Sequence, residues 1–376
     1  MTTPDTSTDT STDAGPGPGP DPGPGPTFVS LERWLAPRLD GAAGLRLVQH
    51  GKPGSGFSAE TIILSGSWTV DGVAHDDKFV LRKETPDPPV YPTQVDGLTT
   101  EVEIQYRVME AITDSSELPL ARLYGYEPDS SVLGTPFFVM GFVEGVVPIE
   151  SPMYTLEGFF TEIAPASRRT MVDEGVRMMA SIHGIDWQAA GLEWLTEGSQ
   201  PSLRRQFDLW SQYAERELAG RVHPPLARAL IWLEANMPET SRLTLNWGDS
   251  RVGNIIWRDD HAACVTDFEA SSISSPEQDL GWWLMFDRWA HENSGVERLP
   301  GEPTRAEQTE LYEQLTGFTV GDMSWYEVFA AARYTAIVVR VMNRLVDRGH
   351  MPADQTVWID NPVVPCLEDL LATVGV

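Results

Sequence analysis

Residues 243–269 constrain this chain more than any other stretch, and their sequence is LTLNWGDSRVGNIIWRDDHAACVTDFE. An apolar run leads into a short polar loop, and two strand-like segments follow it, separated by a turn. Three polar side chains stand at fixed points of this pattern. Asp249 lies in the loop, Asn254 follows it by five residues, and Asp267 ends the second strand. The stretch therefore predicts a hairpin that brings two carboxylates and an amide together.

This set of side chains matches the needs of phosphoryl transfer from a nucleotide. A base must accept the proton of the attacking hydroxyl, and hard oxygen ligands must hold Mg²⁺ against the phosphates. The five-residue spacing of carboxylate and amide, followed by an acidic residue after a strand, is typical of such a site. We therefore predict that Asp249 is the general base and that Asn254 and Asp267 are metal ligands, with ATP and Mg as cofactors.

The stretch resembles the catalytic core of the aminoglycoside phosphotransferase and choline kinase superfamily. The family pattern is His-Gly-Asp, four residues, Asn, a strand with Asp-(Phe/Trp)-Glu, and then Asp-Leu on a helix. The matching residues of this chain are Gly248-Asp249, Asn254, Asp267-Phe268-Glu269 and Asp279-Leu280. Asp279 is expected to order the catalytic loop or cap its helix. Trp247 stands where the family has His, and because an indole nitrogen only donates hydrogen bonds, we expect Trp247 to support the loop by packing.

The resemblance implies an α+β, two-lobed, protein-kinase-like fold. A small N-terminal nucleotide-binding lobe with an antiparallel sheet is expected at 27–140, and a larger, mainly helical catalytic and acceptor-binding lobe at 141–376. The 376 residues are enough for two lobes around one cleft. Residues 1–26 are rich in Thr and Asp and then in Gly and Pro. We expect this segment to be disordered, because it cannot bury enough apolar surface to offset its chain entropy.

A glycine-rich segment in the N-terminal part is a candidate phosphate-binding loop. Residues 51–58 read GKPGSGFS between two predicted strands. Glycines let the backbone approach phosphates closely and direct its N–H groups at them. An ordinary hairpin turn would have the same composition, and the strand that follows favours the phosphate-binding interpretation. The candidate residues are Gly54, Ser55, Gly56 and Ser58.

That later strand, at 78–83, is predicted to supply the cation that holds the α- and β-phosphates. Side chains alternate between the two faces of a strand, so only one of Arg82 and Lys83 can point into the cleft. Resemblance to family members with Val-Leu-Arg at this point favours Arg82, and the choice stays open. The following helix corresponds to the one whose Glu pairs with this cation in the family, which makes Glu101 and Glu103 candidates, although the position that aligns first is Gln105. A place on the solvent-exposed face of the helix is the alternative for either Glu.

Residues 135–145 form an apolar segment that ends in glycines. It resembles the linker between the lobes in the family, where backbone groups from Met140 to Phe142 would contact adenine. A buried core strand has the same pattern, and the two interpretations are compatible.

Charge and composition narrow the choice of partners. The formal net charge is −28, from 27 Lys and Arg against 55 Asp and Glu, which argues against a nucleic-acid partner because such a partner needs a basic face. The sequence shows no leader-like start and no apolar run of about 18 residues, so we expect no membrane partner and a cytoplasmic location. The expected partner is a small-molecule hydroxyl acceptor.

Several alternatives remain open at this stage. The acceptor is an aminoglycoside-like compound, a hydroxyacyl metabolite or an amino alcohol. The replacement of the family His by Trp247 also motivates a nucleotide-binding pseudokinase. Arg333, Arg340 and Arg344 follow one side of a long predicted helix at 326–347, and they are interpreted as structural ion pairs before substrate contacts.

Overall fold

The computed structural model describes residues 28–51, 59–95, 101–196, 199–240 and 242–376. Its helices and strands follow one another in this order: α1 Val29–Leu35, β1 Ala43–Gly51, β2 Glu60–Val70, β3 Val73–Lys83, α2 Glu101–Ser115, β4 Leu123–Glu127, β5 Phe137–Gly141, α3 Phe159–Glu162, α4 Pro165–His183, α5 Leu203–Leu218, α6 Pro224–Ala235, β6 Thr244–Asn246, β7 Ile255–Arg258, β8 His261–Val265, β9 Ser272–Ser274, α7 Glu277–Arg288, α8 Arg305–Thr316, α9 Ser324–Asp347 and α10 Val363–Thr373.

The five strands β1 to β5 form one antiparallel sheet in the order β1-β2-β3-β5-β4. The longest ladder joins β2 to β3 and closes at Val70 opposite Val73. Asp71 and Gly72 make the turn with φ of 49° and 81°, and two successive positive φ values suit the twist of a two-residue hairpin. The antiparallel sheet predicted for the N-terminal lobe is therefore confirmed.

The two faces of this sheet have different neighbours. Phe79 and Leu81 of β3 are buried in one cluster with Leu31 and Leu35 of α1. On the other face, Phe138 of β5 packs with Val102 of α2. Because side chains alternate along β3, the face that carries Val80 and Arg82 is turned away from α1 and toward the rest of the molecule.

The C-terminal part is mainly helical and is built around α9, which is buried along most of its 24 residues. Helices α5, α6, α7 and α10 all pack against it. The large core cluster of this part also contains Val108 and Ile112 of α2, so α2 contributes to the packing of both lobes. No described helix is both long enough and apolar enough to cross a membrane.

The segment after β5 is attached directly to the catalytic hairpin formed by β7 and β8. Val146 and Trp257 exchange backbone hydrogen bonds of 2.8 Å in each direction. A Cβ atom at Gly145 would lie 2.5 Å from the Ile256 side chain and 2.6 Å from the Trp257 carbonyl oxygen. Only glycine allows this close approach, which fixes the hairpin relative to the strand that enters from the N-terminal lobe.

Candidate active site

The loop before β7 has a backbone shape that depends on Gly248. Its φ is +94°, and a Cβ atom there would lie 2.1 Å from the Ala270 carbonyl oxygen. The buried carboxylate of Asp279 accepts hydrogen bonds from the N–H groups of Trp247 and Gly248, at 2.5 and 2.9 Å. His183 holds the same carboxylate at 3.0 Å. Asp279 therefore orders the catalytic loop from the start of α7, which is one of the two roles expected for it.

Asp249 is a buried carboxylate surrounded by hydrogen-bond donors. Its Oδ1 accepts from the Trp282 indole at 2.8 Å and from Arg251 Nε at 3.0 Å. Its Oδ2 accepts from the Tyr91 hydroxyl at 3.1 Å. Burial, together with the nearby charge of Asp267, raises the pKa of Asp249 from 3.8 to about 6. The side chain is thus oriented and has a pKa that suits a proton acceptor near neutral pH.

Thr266, which directly precedes Asp267, links that residue to Asn254. Asn254 donates its Nδ2 to the Asp249 carbonyl oxygen at 2.9 Å, which leaves its Oδ1 as the atom suited to a metal. The backbone N–H and the hydroxyl of Thr266 both donate to the Asn254 carbonyl oxygen at 2.9 Å. Asp267 follows with φ of 59°, a left-handed conformation that Asp tolerates better than most residues.

The donor chemistry of this pair fits magnesium. Carboxylate and amide oxygens are hard ligands, and Mg²⁺ in nucleotide sites takes one or two of them and completes its shell with phosphates and water. Within the described ranges, no group of three or more His, Cys, Asp or Glu side chains could hold a metal by itself. A site formed by Asn254 and Asp267 would therefore depend on the nucleotide.

Arg82 lies on the face of β3 that meets the catalytic block. Its Nη1 donates to Thr61 Oγ1 at 2.7 Å, and its Nη2 is 3.5 Å from Glu269 Oε2. The two side chains of this ion pair are 11% and 6% exposed. Alternation places Lys83 on the opposite face, with Leu81. Arg82 therefore contacts the acidic triplet Asp-Phe-Glu directly.

The two candidate glutamates of α2 have other contacts. Glu101 is buried, and its carboxylate accepts the N–H of Val90 at 2.5 Å. Glu103 lies 3.3 Å from Arg107, one helical turn away, and accepts from the Tyr126 hydroxyl at 3.3 Å. The carboxylate that contacts Arg82 most clearly is that of Glu269, which sequence reasoning did not assign.

Met140 is the next-to-last residue of β5 and is partly buried, and Phe142 follows the strand. The N–H groups of Gly141 and Phe142 already donate to the carbonyl oxygens of Arg122 and Lys78, at 2.8 and 3.0 Å. An adenine ring near this segment would therefore need carbonyl oxygens or a later N–H group. The residues Gly54, Ser55, Gly56 and Ser58 lie outside the part of the chain that the structure describes.

An open groove of about 510 Å³ runs toward the linker along the face of the sheet that also carries Arg82. It is lined by residues of β1, β2 and β3, including Val48 and Lys78, and by Phe142 and Glu144. A second cavity, between the catalytic loop and α7, measures only about 30 Å³. That volume holds about one water molecule, so the groove is the better candidate for a bound nucleotide base.

Two cations near Asp249 were not assigned to the site from the sequence. Arg251 was within reach of such reasoning, because it lies only two residues after Asp249. Arg333 was interpreted as an ion pair, and no described carboxylate lies within salt-bridge distance of it. It is 2% exposed, donates to the Gly248 carbonyl oxygen at 3.1 Å, and lies 4.6 Å from the ring centroids of Trp210 and Trp282. Burial lowers the pKa of Arg333 to about 10.

Comparison with known proteins gives an independent view of these features. Residues 61–318 match the phosphotransferase enzyme family. The acyl-CoA dehydrogenase family member 11 of Gallus gallus is 29% identical over 269 residues, which are 69% of this chain and 31% of that protein. The chain spans from 18% to 36% of the length of the curated relatives it matches.

Solved structures give the same fold. A Ralstonia eutropha JMP134 protein assigned provisionally to the aminoglycoside phosphotransferases aligns with 92% of this chain and 98% of its own length, with a TM-score of 0.68 and 24% identity. A thermostable mutant of aminoglycoside phosphotransferase APH(4)-Ia, in ternary complex with ADP and hygromycin B, aligns with 92% of this chain and 99% of its own, with a TM-score of 0.51 and 13% identity.

The family match covers more than half of the chain and includes the whole catalytic block. The architecture also agrees, because an antiparallel sheet precedes a mainly helical part and the catalytic hairpin follows the linker between them. The predicted two-lobed, protein-kinase-like fold is confirmed. The chain therefore belongs to the phosphotransferase enzyme family.

Proposed function

We propose that this chain transfers the γ-phosphate of ATP to a hydroxyl group of a small molecule, with Mg²⁺ as cofactor. The observation that carries the proposal is the buried carboxylate of Asp249, which three donors orient beside the pair of oxygen ligands Asn254 and Asp267. A base and metal ligands held in the catalytic loop and at the end of the hairpin that follows it meet the main needs of phosphoryl transfer.

The nucleotide would lie between the sheet and the catalytic hairpin. Arg82 would bind the α- and β-phosphates, and its ion pair with Glu269 would keep the guanidinium extended across the cleft. Lys83, on the opposite face, would have a minor role. The loop with Gly54, Ser55, Gly56 and Ser58, which lies outside the described residues, is proposed to bind the phosphates.

The base of the nucleotide would lie between the end of the groove that Phe142 lines and Met140 of the adjoining strand. The amide of Val143 makes no backbone hydrogen bond within the described ranges. It is therefore the first linker N–H after Phe142 that could donate to adenine. Met140 and Val80, paired across β5 and β3, would supply the apolar surface under the ring.

Asn254 Oδ1 and the Asp267 carboxylate would hold the metal. When bound, Mg²⁺ neutralises part of the phosphate charge and orients the phosphates. Asp249 would accept the proton of the acceptor hydroxyl. The hydroxyl oxygen of the acceptor forms a bond to the γ-phosphorus, and the bond between the γ-phosphorus and the β–γ bridging oxygen breaks. Arg251, attached to Asp249 through Nε, would place positive charge beside the transferred group.

The class of acceptor is best approached through a panel. Aminoglycosides belong in it because of the fold relatives. Amino alcohols and hydroxyacyl compounds belong in it as the two alternative acceptor classes. The panel is incubated with Mg²⁺ and γ-labelled ATP, and label transfer to each acceptor is measured.

The assignment of Asp249 is tested with Asp249→Asn, which keeps the shape and removes the proton acceptor. Turnover should fall by roughly 10²–10⁴-fold, while the thermal shift with Mg-ATP should be retained. The matched control is Asp259→Asn, an exposed turn residue of the same hairpin, which should leave turnover unchanged. Wild-type turnover in Asp249→Asn would show that another group is the base.

The metal pair is tested by thermal shift. Asp267→Ala should abolish the stabilisation by Mg-ATP, and Asn254→Ala should weaken it less, because a carboxylate offers charge as well as oxygen. A normal shift in Asp267→Ala would place the metal elsewhere. Binding of Mg-ATP without transfer to any acceptor of the panel would favour the nucleotide-binding pseudokinase.

A further inference from the structure

The segment between β3 and α2, residues 84–95, leaves the sheet and crosses onto the helical part, and we call it the strap. Arginine side chains of helix α9 hold the strap by donating hydrogen bonds to its backbone carbonyl oxygens. Arg340 Nε donates to the Pro89 oxygen at 3.2 Å, and Arg344 Nη2 donates to the Pro88 oxygen at 3.0 Å. Both arginines are nearly buried, so these contacts are shielded from water and difficult to exchange.

The strap has further attachments after these two prolines. The Tyr213 hydroxyl of α5 donates to the Val90 oxygen, and the Val90 N–H donates to the carboxylate of Glu101. Near its end, Gln94 Oε1 accepts from Gln206 at 2.7 Å. Contacts to α2, α5 and α9 make the strap a wall of the catalytic lobe.

Tyr91 projects from this wall onto the Asp249 carboxylate. A carboxylate oxygen accepts about two hydrogen bonds. Among the described residues, Oδ1 receives hydrogen bonds from Trp282 and Arg251, and Oδ2 receives one from the Tyr91 hydroxyl. The Asn254 side chain also interacts with this carboxylate. Since Trp282 and Arg251 both bind Oδ1, an acceptor hydroxyl would approach Oδ2, beside the phenol of Tyr91.

We propose that Tyr91 is a positioning residue of the acceptor site. Its hydroxyl holds Oδ2 of Asp249 in the orientation that leaves one lone pair for the acceptor hydroxyl, and its ring forms the wall against which the acceptor lies. This role rests on the proposed function of Asp249 as base. It adds a residue that belongs to no part of the catalytic motif and that the strap brings from the N-terminal lobe.

The test compares the removal of two tyrosine hydroxyls: that of Tyr91, which lies on the strap, and that of Tyr213, which binds the strap. Tyr91→Phe keeps the ring and removes the hydroxyl, so kcat should fall roughly tenfold, which is the typical effect of one hydrogen bond to a charged group. The KM for ATP should stay within about twofold. The matched control, Tyr213→Phe, removes the hydroxyl that holds the Val90 carbonyl oxygen and does not contact Asp249. It should lower the Tm while kcat is retained.

Two kinetic results would overturn the proposal. Equal kcat in wild type and Tyr91→Phe would show that the hydroxyl has no role in turnover. A lower KM for the acceptor at unchanged kcat would show that Tyr91 only covers the base and competes with the acceptor.

A second measurement separates this proposal from the proposed function, because it needs no turnover. The Tm is measured for Tyr91→Phe, Asp249→Asn and the double variant. If the two groups are in contact, their effects on Tm should be non-additive. Additive effects would overturn the role of Tyr91 even in an active enzyme. Coupled effects in a protein that phosphorylates no acceptor of the panel would refute the proposed function, and the positioning role would fall with it.

Discussion

The catalytic loop and the strap hold the same carboxylate by opposite means. The loop acts through neighbours in sequence. Arg251, two residues after Asp249, donates to its carboxylate, and Asn254, five residues after it, donates to its backbone carbonyl oxygen. The strap reaches Asp249 through Tyr91, which lies 158 residues away. Its own attachment to Arg340 spans 251 residues.

This difference shows why one half of the site is visible as a motif and the other is not. Local hydrogen bonds require fixed spacings, so the loop has a characteristic pattern. The strap has the sequence ETPDPPVYPTQV, whose prolines restrict the backbone and leave carbonyl oxygens without neighbouring N–H groups. Such a segment is suited to accept hydrogen bonds from arginines far away in the sequence. Its composition does not indicate which arginines these are.

The largest effect on turnover is expected from a change in the catalytic loop. Gly248→Ala should reduce turnover by at least about 100-fold, because the added Cβ would overlap the Ala270 carbonyl oxygen and displace the base. Gly295→Ala is the control, since its φ is also positive, +67°, but nothing lies within 4 Å of the added atom. That variant should cost only about 1 kcal/mol of unfolding free energy and keep its turnover. Similar losses in both variants would show that φ strain, and not the contact with Ala270, matters.

The strap is tested by removing one of its attachments. Arg340→Met should lower the free energy of unfolding by about 2 kcal/mol, because the Pro88 and Pro89 carbonyl oxygens lose buried donors. Arg228→Met, which removes a half-exposed ion pair with Glu368, should change it by less than about 0.5 kcal/mol. Urea unfolding measures both values, and equal values would mean that α9 does not hold the strap.

The start of the strap predicts a pH dependence. Burial raises the pKa of Glu84 from 4.5 to about 7. The folded state therefore binds more protons than the unfolded state between these values, and its free energy of unfolding should fall as pH rises from about 4.5 to 7. Glu84→Gln keeps an acceptor for the Val102 N–H and removes this loss. It should be more stable than wild type by about 1–2 kcal/mol at pH 8 and equal to it near pH 5. If the free energy of unfolding changed with pH in the same way in wild type and Glu84→Gln, the raised pKa of Glu84 would not be the cause.

The smallest expected effect concerns the departure from the family motif. Trp247 is fully buried, and its indole nitrogen donates to the Thr266 carbonyl oxygen at 2.7 Å. Trp247→Phe keeps most of the ring volume and loses this bond, so the free energy of unfolding should fall by about 1 kcal/mol with turnover largely retained. Loss of turnover without loss of stability would give the indole a direct role in the reaction.

The sequence by itself determined the fold class and the local geometry of the catalytic block. Asp249 and Asn254 lie in the catalytic loop, Asp267 follows the hairpin and Asp279 lies on α7. The five-residue spacing of Asp249 and Asn254 reflects a local hydrogen bond between them. Strand alternation also showed that Arg82 and Lys83 face opposite ways.

Only the tertiary structure decided which of these two faces meets the catalytic hairpin, because that depends on the packing of α1 against Phe79 and Leu81. It also decided that Glu269 contacts Arg82 and that Tyr91 contacts Asp249. Such contacts join residues far apart in the chain. Their geometry follows from how helices and sheet pack, and no local spacing in the sequence records it.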